Sequence, residues 1–216
     1  YSVPGSSTLI LKEGVTSNPS LGNRLSPGAV KYKDQDGDGV ITTKDRTVIG
    51  NALPKWYGGI TNTFNYKGID FSFMLQFNYG NDIYNATRLY ATQTNTQRRN
   101  QLAEVADRWS PTNASNKVPR YNGYVVNDVY SRFVEDGSFL RIKEVTLSYN
   151  IPRKWCKKAF LKSANVYISG TNLLTWSKYS GYDPEVNTAT SAFIRGVDNG
   201  AFPKSRSYNL GVNLTF

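Results

Sequence analysis

Histidine is absent from this 216-residue chain, and cysteine occurs once, at Cys156. Without histidine the chain lacks the commonest general base and metal ligand, so Ser-His and Cys-His catalytic arrangements are excluded. A single cysteine excludes an intramolecular disulfide and a cysteine metal cluster. The acidic pairs Glu135-Asp136 and Asp183-Glu185 fall in polar loops, where nothing would raise a pKa for glycosidase chemistry. The sequence therefore predicts that the chain is not an enzyme.

Long apolar runs are also missing. None approaches 18 residues, so no transmembrane helix is predicted, although barrel strands cross membranes with alternating patterns instead. The net charge of +10 comes from mostly scattered Lys and Arg residues. Without a recognition helix, a zinc-site spacing or an RNA-binding motif, we expect no nucleic-acid partner. Aromatic residues are abundant, with 15 Tyr and 10 Phe, and they suit strands that are apolar on one face only.

Alternation with a period of two predicts the strands. The clearest run places six apolar side chains on one face, which are Ile69, Phe71, Phe73, Leu75, Phe77 and Tyr79. The run from Trp56 to Tyr66 also alternates, and Lys67-Gly68 between the two runs predicts a β-hairpin. Further strands are predicted at 138–151, 163–172 and 206–216. A bulge near Lys143-Glu144 would bring the two halves of the strand at 138–151 into phase.

The connections alternate in length. Short ones at 67–68 and 152–162 alternate with long polar ones at 80–137 and 173–204, and stretches between residues 89 and 109 have weak helical character. This pattern is typical of a transmembrane β-barrel. A β-sandwich is the alternative, but it would bury its apolar face with Val, Leu and Ile and keep shorter loops. We favour an all-β barrel wall, with residues 1–54 as a loop segment and 55–216 as about five strands that need further neighbours.

Residues 34–45 have the spacing of a calcium loop. The candidate ligands at positions 1, 3, 5, 7, 9 and 12 are Asp34, Asp36, Asp38, Val40 (through its carbonyl), Thr42 and Asp45. Gly39 stands where the loop needs a sharp turn, and Ile41 would anchor the loop. Asp45 replaces the usual Glu, and flanking helices are not predicted. The sequence predicts a structural Ca²⁺ site, and the alternative is an Asp/Gly turn that binds nothing.

Several stretches resemble the C-terminal portion of SusC-like TonB-dependent transporters, the outer-membrane nutrient importers of the Bacteroidetes. They are GAVKYKDQDGDGVITTKDRTVIG with the strands that follow it, DGSFLRIKEVTLSYNIP, NVYISGTNLLTWSKYSGYDPEVN and SYNLGVNLTF. The resemblance covers about residues 28 to 216. It implies a 22-stranded transmembrane barrel in the outer membrane, with long extracellular loops carrying short helices and an N-terminal plug domain outside this sequence.

The same resemblance implies partners and an orientation. A SusD-like surface lipoprotein would cover the extracellular face, and the TonB system would supply energy through the missing N-terminal part. The transported nutrient would be a glycan or an oligopeptide. Phe216 resembles the terminal aromatic residue that outer-membrane assembly machinery reads. Loops 80–137 and 173–204 and the segment before Trp56, residues 1–54, would then be extracellular, and the turns at 67–68 and 152–162 periplasmic.

Aromatic residues in the predicted loops are candidates for contact with the ligand or the lid. They are Trp109, Tyr121, Tyr124, Trp176, Tyr179 and Tyr182. Ordinary loop packing is the alternative explanation for them. At the level of the whole chain, the alternative to transport is a secreted, calcium-stabilised β-sandwich that acts as a binding or adhesion module.

Overall fold

A computed structural model describes residues 27–94, 99–124, 129–186, 188 and 195–216. The chain forms two compact units, the first from Tyr1–Ile49 and Ala86–Phe133, the second from Gly50–Asn85 and Val134–Phe216. These units divide the chain differently from the sequence-predicted segments 1–54 and 55–216, because residues 86–133 group with the first unit. Most of the long predicted connection 80–137 therefore belongs to the first unit and not to the unit that contains the strands on either side of it.

The described part of the second unit contains eight strands. They are β1 (Trp56–Tyr66), β2 (Ile69–Tyr79), β3 (Asp82–Asn85), β4 (Val134–Asp136), β5 (Phe139–Asn150), β6 (Ser163–Ser177), β7 (Val197–Asp198) and β8 (Ser207–Thr215). Five form an antiparallel sheet in the order β1-β2-β5-β6-β8. The five predicted strands are thus confirmed in place and in type. A small second sheet, in the order β4-β3-β7, was not predicted.

The two faces of the large sheet differ in chemistry across all five strands. One row of paired residues is apolar throughout: Phe64, Phe71, Leu147, Ile168 and Leu210. The adjacent row is polar throughout: Thr63, Ser72, Thr146, Ser169 and Asn209. Because neighbouring residues of a strand point to opposite faces, the sheet has one apolar and one polar face. The apolar face is largely uncovered, and the side chain of Leu210 is 77% exposed.

A break in register lies where the sequence predicted a bulge. The pairing of β5 with both neighbours shifts between Ile142 and Glu144, so Lys143 is the extra residue. The shift brings Leu140 and Ile142 onto the apolar face, as predicted. Strand β6 continues to Ser177, five residues beyond the predicted end at 172, so the prediction of a loop from 173 was wrong there.

The connections at each end of the sheet also follow the prediction. Lys67 (φ 47°) and Gly68 (φ 86°) form the tight turn between β1 and β2, with the left-handed backbone that a two-residue hairpin loop requires. The connection between β5 and β6 lies at the same end of the sheet and contains the short helix α2 (Arg153–Lys158). Helix α1 (Ala86–Thr92) belongs to the first unit. The long connections leave from the opposite end of the sheet.

The first unit packs around aromatic side chains. Tyr124 and Tyr130 meet edge to face with ring centroids 5.3 Å apart, and Phe133 is fully buried beside them. Short 3-10 helices at Thr43–Asp45, Ala103–Asp107 and Ser131–Phe133 complete the described helical structure of this unit. Within the described residues, no helix is long and apolar enough to cross a membrane.

Gly137 is required by close packing in the small sheet. A Cβ at this position would lie 2.8 Å from Cδ1 of Ile83, the atom that valine lacks, and closer still to Nδ2 of Asn81. Ile83 is 1% exposed. We expect Gly137→Ala to lower the local opening free energy of β3 by about 1–3 kcal/mol through overpacking. Hydrogen exchange of the β3 amides measures this quantity. Combining it with Ile83→Val should cost less than the sum of the single changes, and simple additivity would contradict the predicted contact.

Candidate functional site

Three aspartates of the predicted calcium loop lie together in the first unit. The carboxylates of Asp34, Asp36 and Asp38 offer oxygens that all lie within 4.8 Å of one another. Asp36 and Asp38 are exposed and Asp34 is half-buried. Three negative charges at this spacing repel each other unless a cation neutralises them.

The backbone of the loop is organised around these carboxylates. Asp34 accepts hydrogen bonds from the amides of Gly37 at 2.7 Å and Gly39 at 2.9 Å. Asp38 accepts one from the amide of Val40 at 2.8 Å. Gly39 has φ 80°, a left-handed conformation that suits glycine and places the sharp turn where a calcium loop has it. The amides hold the aspartates in one arrangement.

The remaining predicted ligands have other partners. The two carboxylate oxygens of Asp45 accept hydrogen bonds from the amides of Gln35 at 2.8 Å and Thr42 at 2.6 Å. These amides, Thr42 first, hold the pKa of Asp45 below its usual value. The Thr42 hydroxyl accepts from the amide of Lys44 and caps the 3-10 helix. Ile41 is buried, which is the anchoring position expected for it.

The structure therefore brings together three of the predicted ligand side chains. Asp45, the last residue of the loop, is hydrogen-bonded to Gln35 near its start. Carboxylate oxygens are hard ligands, and several at this spacing fit Ca²⁺, which takes six to eight oxygens. Asp45 keeps free lone pairs beside its two backbone bonds. The candidate ligands are carboxylates, a hydroxyl and a backbone carbonyl, and such an all-oxygen donor set suits a structural cation.

The aromatic candidates in the first unit differ in exposure. Trp109 is half-buried, with its ring against the backbone of Gly28, and Tyr121 is 56% exposed. Tyr124 is 4% exposed within the aromatic cluster, and burial raises the pKa of its phenol. Tyr121 is therefore the most accessible of these three for a contact, whereas Tyr124 has the packing role that the sequence left open as the alternative.

The candidates in the second unit are also divided. Trp176 lies on the apolar face near the end of β6, and Tyr182 is 83% exposed. Tyr179 is buried, and its hydroxyl donates a 2.6 Å hydrogen bond to Asp198. Burial and the negative charge of Asp198 raise the pKa of Tyr179, which stays protonated. Phe216, the candidate assembly residue, follows β8 and is 77% exposed.

A buried arginine that sequence reasoning missed organises the polar face. Arg141 of β5 is 1% exposed, and its guanidinium is 2.5 Å from Asp183 and 3.3 Å from Glu185. Lys204 adds a second cation beside Glu185. Burial acts to raise the pKa of Asp183, but the amide of Glu185 and the guanidinium of Arg141 outweigh it and hold that pKa below its ordinary value. The network fastens the 178–186 segment to the strand.

A cavity of about 1190 Å³ lies beside this network on the polar face of the sheet. Its sheet side includes Met74, Gln76 and Asn78, and its loop side includes Pro184 and Glu185. Amide groups next to apolar surface can hold a polar ligand by hydrogen bonding while packing against its carbon skeleton. The polar face thus has a concave region near the end of the sheet from which the long loops leave.

No protein-family model matches the chain. Over 195 residues it is 40% identical to TonB-dependent receptor P26 of Formosa agariphila, a match that covers 88% of this chain and 20% of the relative. It is 27% identical over 187 residues to TonB-dependent receptor SusC of Bacteroides thetaiotaomicron, covering 86% and 17%. In the RagAB peptide transporter structure, a chain aligns with TM-score 0.71 and 25% identity, covering 88% of this chain and 20% of that one. The chain thus spans about a fifth of the length of the relatives it matches.

Proposed function

Because the chain belongs to the SusC-like TonB-dependent receptors and corresponds to a C-terminal portion of them, we propose that it forms part of the wall of an outer-membrane nutrient importer. In this proposal the large sheet supplies five adjacent strands of a 22-stranded barrel. Its apolar face contacts lipid, and its polar face lines the lumen. The importer moves a nutrient inward and catalyses no chemical reaction.

The observation that carries the proposal is the uncovered apolar face. The apolar row from Phe64 to Leu210 crosses all five strands, and Phe64, Ile168 and Leu210 are each more than half exposed. Soluble monomers rarely expose an apolar patch that extends over a whole sheet. A β-sandwich would cover this face with a second sheet, and in the described part of the chain none lies over it. Lipid is therefore the better-supported environment.

The partners and the substrate belong to the same proposal. A SusD-like lipoprotein covers the extracellular ends of the strands, and the TonB system acts on a part of the receptor outside this segment. The RagAB structures are of a peptide importer, which supports an oligopeptide as the nutrient. A glycan remains the second candidate class, since exposed Tyr121 and Tyr182 offer ring faces on which sugars stack.

The test is the intact mass of the native polypeptide, extracted with detergent from the outer-membrane fraction. An importer predicts a polypeptide about five times the length of this segment, because the segment spans 20% of a relative. It also predicts that a lipoprotein co-purifies with it. A water-soluble species with the mass of this chain alone, 24.2 kDa, would overturn the proposal in favour of the adhesion module.

Calcium at residues 34–45 is a further part of the proposal. Its support is the cluster of Asp34, Asp36 and Asp38, with Gly39 in the left-handed conformation. Ca²⁺ would be held by these carboxylates, together with the Val40 carbonyl, Thr42 and Asp45. It would offset their mutual repulsion and stiffen a loop that the proposed orientation places outside the cell.

We expect Ca²⁺ to raise the melting temperature of the full-length receptor, and Asp36→Asn with Asp38→Asn to abolish that rise. Binding to the folded state alone stabilises a protein by about 2.7 kcal/mol when the ligand is at 100 times its dissociation constant. Thermal unfolding with added Ca²⁺ or with chelator measures the effect. Asp107→Asn is the control, because Asp107 is another exposed aspartate of the same unit and pairs with Lys117. An equal rise in the double variant would exclude this loop as the site.

A further inference from the structure

The connection between β5 and β6, residues 151–162, is here called the rim turn. It contains five basic residues, which are Arg153, Lys154, Lys157, Lys158 and Lys162. No aspartate or glutamate occurs from residue 145 to residue 182. All five basic residues are exposed, and none has an ion pair with another described residue. The rim turn is therefore a concentrated positive surface at one end of the sheet.

Two large aromatic side chains stand exposed in the same turn. Trp155 is 64% exposed, and Phe160 is 93% exposed. Only Cys156 of helix α2 is buried, with its thiol 3.4 Å from the carbonyl oxygen of Ile151. The helix is thus fixed by its cysteine side, while the rings of Trp155 and Phe160 contribute little to packing among the described residues.

Phe160 also occupies a strained backbone position. Its φ is 57°, a left-handed conformation that disfavours a side chain. The amide of Leu161 donates to the carbonyl of Cys156 at 2.9 Å, and that of Phe160 to Lys157 at 3.3 Å. These bonds define a helix end at which glycine is the usual residue. An aromatic ring held at a strained position, with almost no packing partner, indicates a contact outside the described chain.

The neighbouring Lys67-Gly68 turn adds positive charge and an exposed aromatic ring to the same end of the sheet. The Gly68 carbonyl accepts the amide of Asn150, so the Lys67-Gly68 turn lies beside the start of the rim turn. Lys67 is 5.1 Å from the ring centre of Tyr66, which is exposed at the end of β1. Asp70, the acid at this end, points to the polar face and is bonded to the side-chain amides of Asn65 and Asn150. The end of the sheet keeps a strong excess of positive charge.

We propose that the rim turn binds anionic phospholipid head groups of the periplasmic leaflet. The basic side chains pair with phosphate, and Trp155 and Phe160 lie at the level of the head groups. Clusters of four to eight basic residues beside a membrane span attract anionic lipid, and tryptophan is enriched at that depth. Charge complementarity and the two exposed aromatic rings favour a lipid surface over a folded protein partner. This inference rests on the proposed barrel function.

The test uses the full-length receptor in nanodiscs of phosphatidylcholine mixed with phosphatidylglycerol, and counts retained phosphatidylglycerol by native mass spectrometry. We expect a combined R153Q, K154Q, K157Q and K158Q variant to retain about tenfold less of it, since each basic residue near an anionic surface contributes measurably. The control combines K31Q, K33Q, K44Q and R46Q, an equal charge change at exposed residues of the first unit, and should retain the wild-type amount.

Phe160→Gly separates lipid contact from folding. Glycine relaxes the left-handed backbone and leaves every charge in place, so the receptor should fold normally and retain severalfold less phosphatidylglycerol. Wild-type retention in both the charge variant and Phe160→Gly would overturn the rim-turn proposal. So would a photo-crosslinker at Trp155 that captures a polypeptide instead of lipid. A receptor that fails to enter nanodiscs at all would overturn the barrel proposal itself, which keeps the two failures distinct.

Discussion

Replacing Arg141 with alanine is expected to lower the free energy of opening of the segment around Asp183 and Glu185 by about 3–5 kcal/mol. The segment is then no longer held against strand β5. Arg141 is 1% exposed, so its removal leaves Asp183 buried without its closest cation. Breaking a buried ion pair by removing one partner costs about that much, because the remaining charge is uncompensated. Hydrogen exchange of the amides in 179–186, in the detergent-solubilised full-length receptor, measures the loss.

Two further variants test whether burial sets the size of this effect. The Glu185 side chain is 33% exposed, so Glu185→Gln should cost only about 0–1 kcal/mol. Arg206→Ala removes an exposed arginine from the same unit and should fall within about 0.5 kcal/mol of wild type. If Arg141→Ala were no more costly than Arg206→Ala, the network would not hold the segment.

The network also predicts the sign of a pH effect. The pKa of Asp183 is lowered in the folded protein, so its contribution to stability is present above the unfolded value of 3.8. The contribution is lost as pH falls through the still lower folded value. We expect the 179–186 amides to stay protected from neutral pH down to about pH 4. In the Arg141→Ala variant, protection should be lost at higher pH.

We expect Phe73→Arg to destabilise the receptor in lipid vesicles, lowering its free energy of unfolding by about 2–4 kcal/mol. Ser72→Arg should have little effect. The two residues are neighbours near the middle of β2, but Phe73 lies on the apolar face and Ser72 on the polar one. An arginine facing lipid near the bilayer midplane carries this cost, and an arginine facing a wet lumen does not. The pair keeps the charge and strand position nearly constant.

The readout is the folded fraction in vesicles across a denaturant series, for both variants and wild type. Equal losses for Phe73→Arg and Ser72→Arg would mean that the two faces have similar surroundings, which contradicts the lipid and lumen assignment. A large loss for Ser72→Arg alone would reverse that assignment. The comparison therefore tests sidedness directly, independently of any transported nutrient.

The large sheet could be predicted because each of its strands is long enough to show its period. Ile69 to Tyr79 alternates over 11 residues, and the phase break between Ile142 and Val145 located the bulge before any pairing was known. The clustering of Asp34, Asp36 and Asp38 could be predicted because they lie within five consecutive residues, and the binding of Ca²⁺ by residues 34–45 stays a prediction. The observed register confirms the predicted strands and the predicted bulge.

The small sheet and the buried network could not be predicted in the same way. Strands of two to four residues, such as Val197–Asp198, are too short to show a period. Arg141 looked like one more polar-face residue, and Asp183 like an ordinary loop acid 42 positions away. The alternation places Arg141 on the face opposite Leu140 and Ile142, and this pattern alone does not distinguish a buried arginine from an exposed one. The partner of Arg141 depends on how the loop returns to the sheet.

The small sheet bears on the order in which the chain folds. Its parallel pair joins Tyr84 to Val197, and the β5-β6 hairpin of the large sheet lies between these two residues in the sequence. Closing so long a loop carries a large entropic penalty until β5 and β6 have already brought the ends near each other. We therefore expect the β4-β3-β7 sheet to form after the five strands of the large sheet have paired. With only three residue pairs between β3 and β4 and two between β3 and β7, this sheet is expected to be the last described part of the unit to close and the first to reopen.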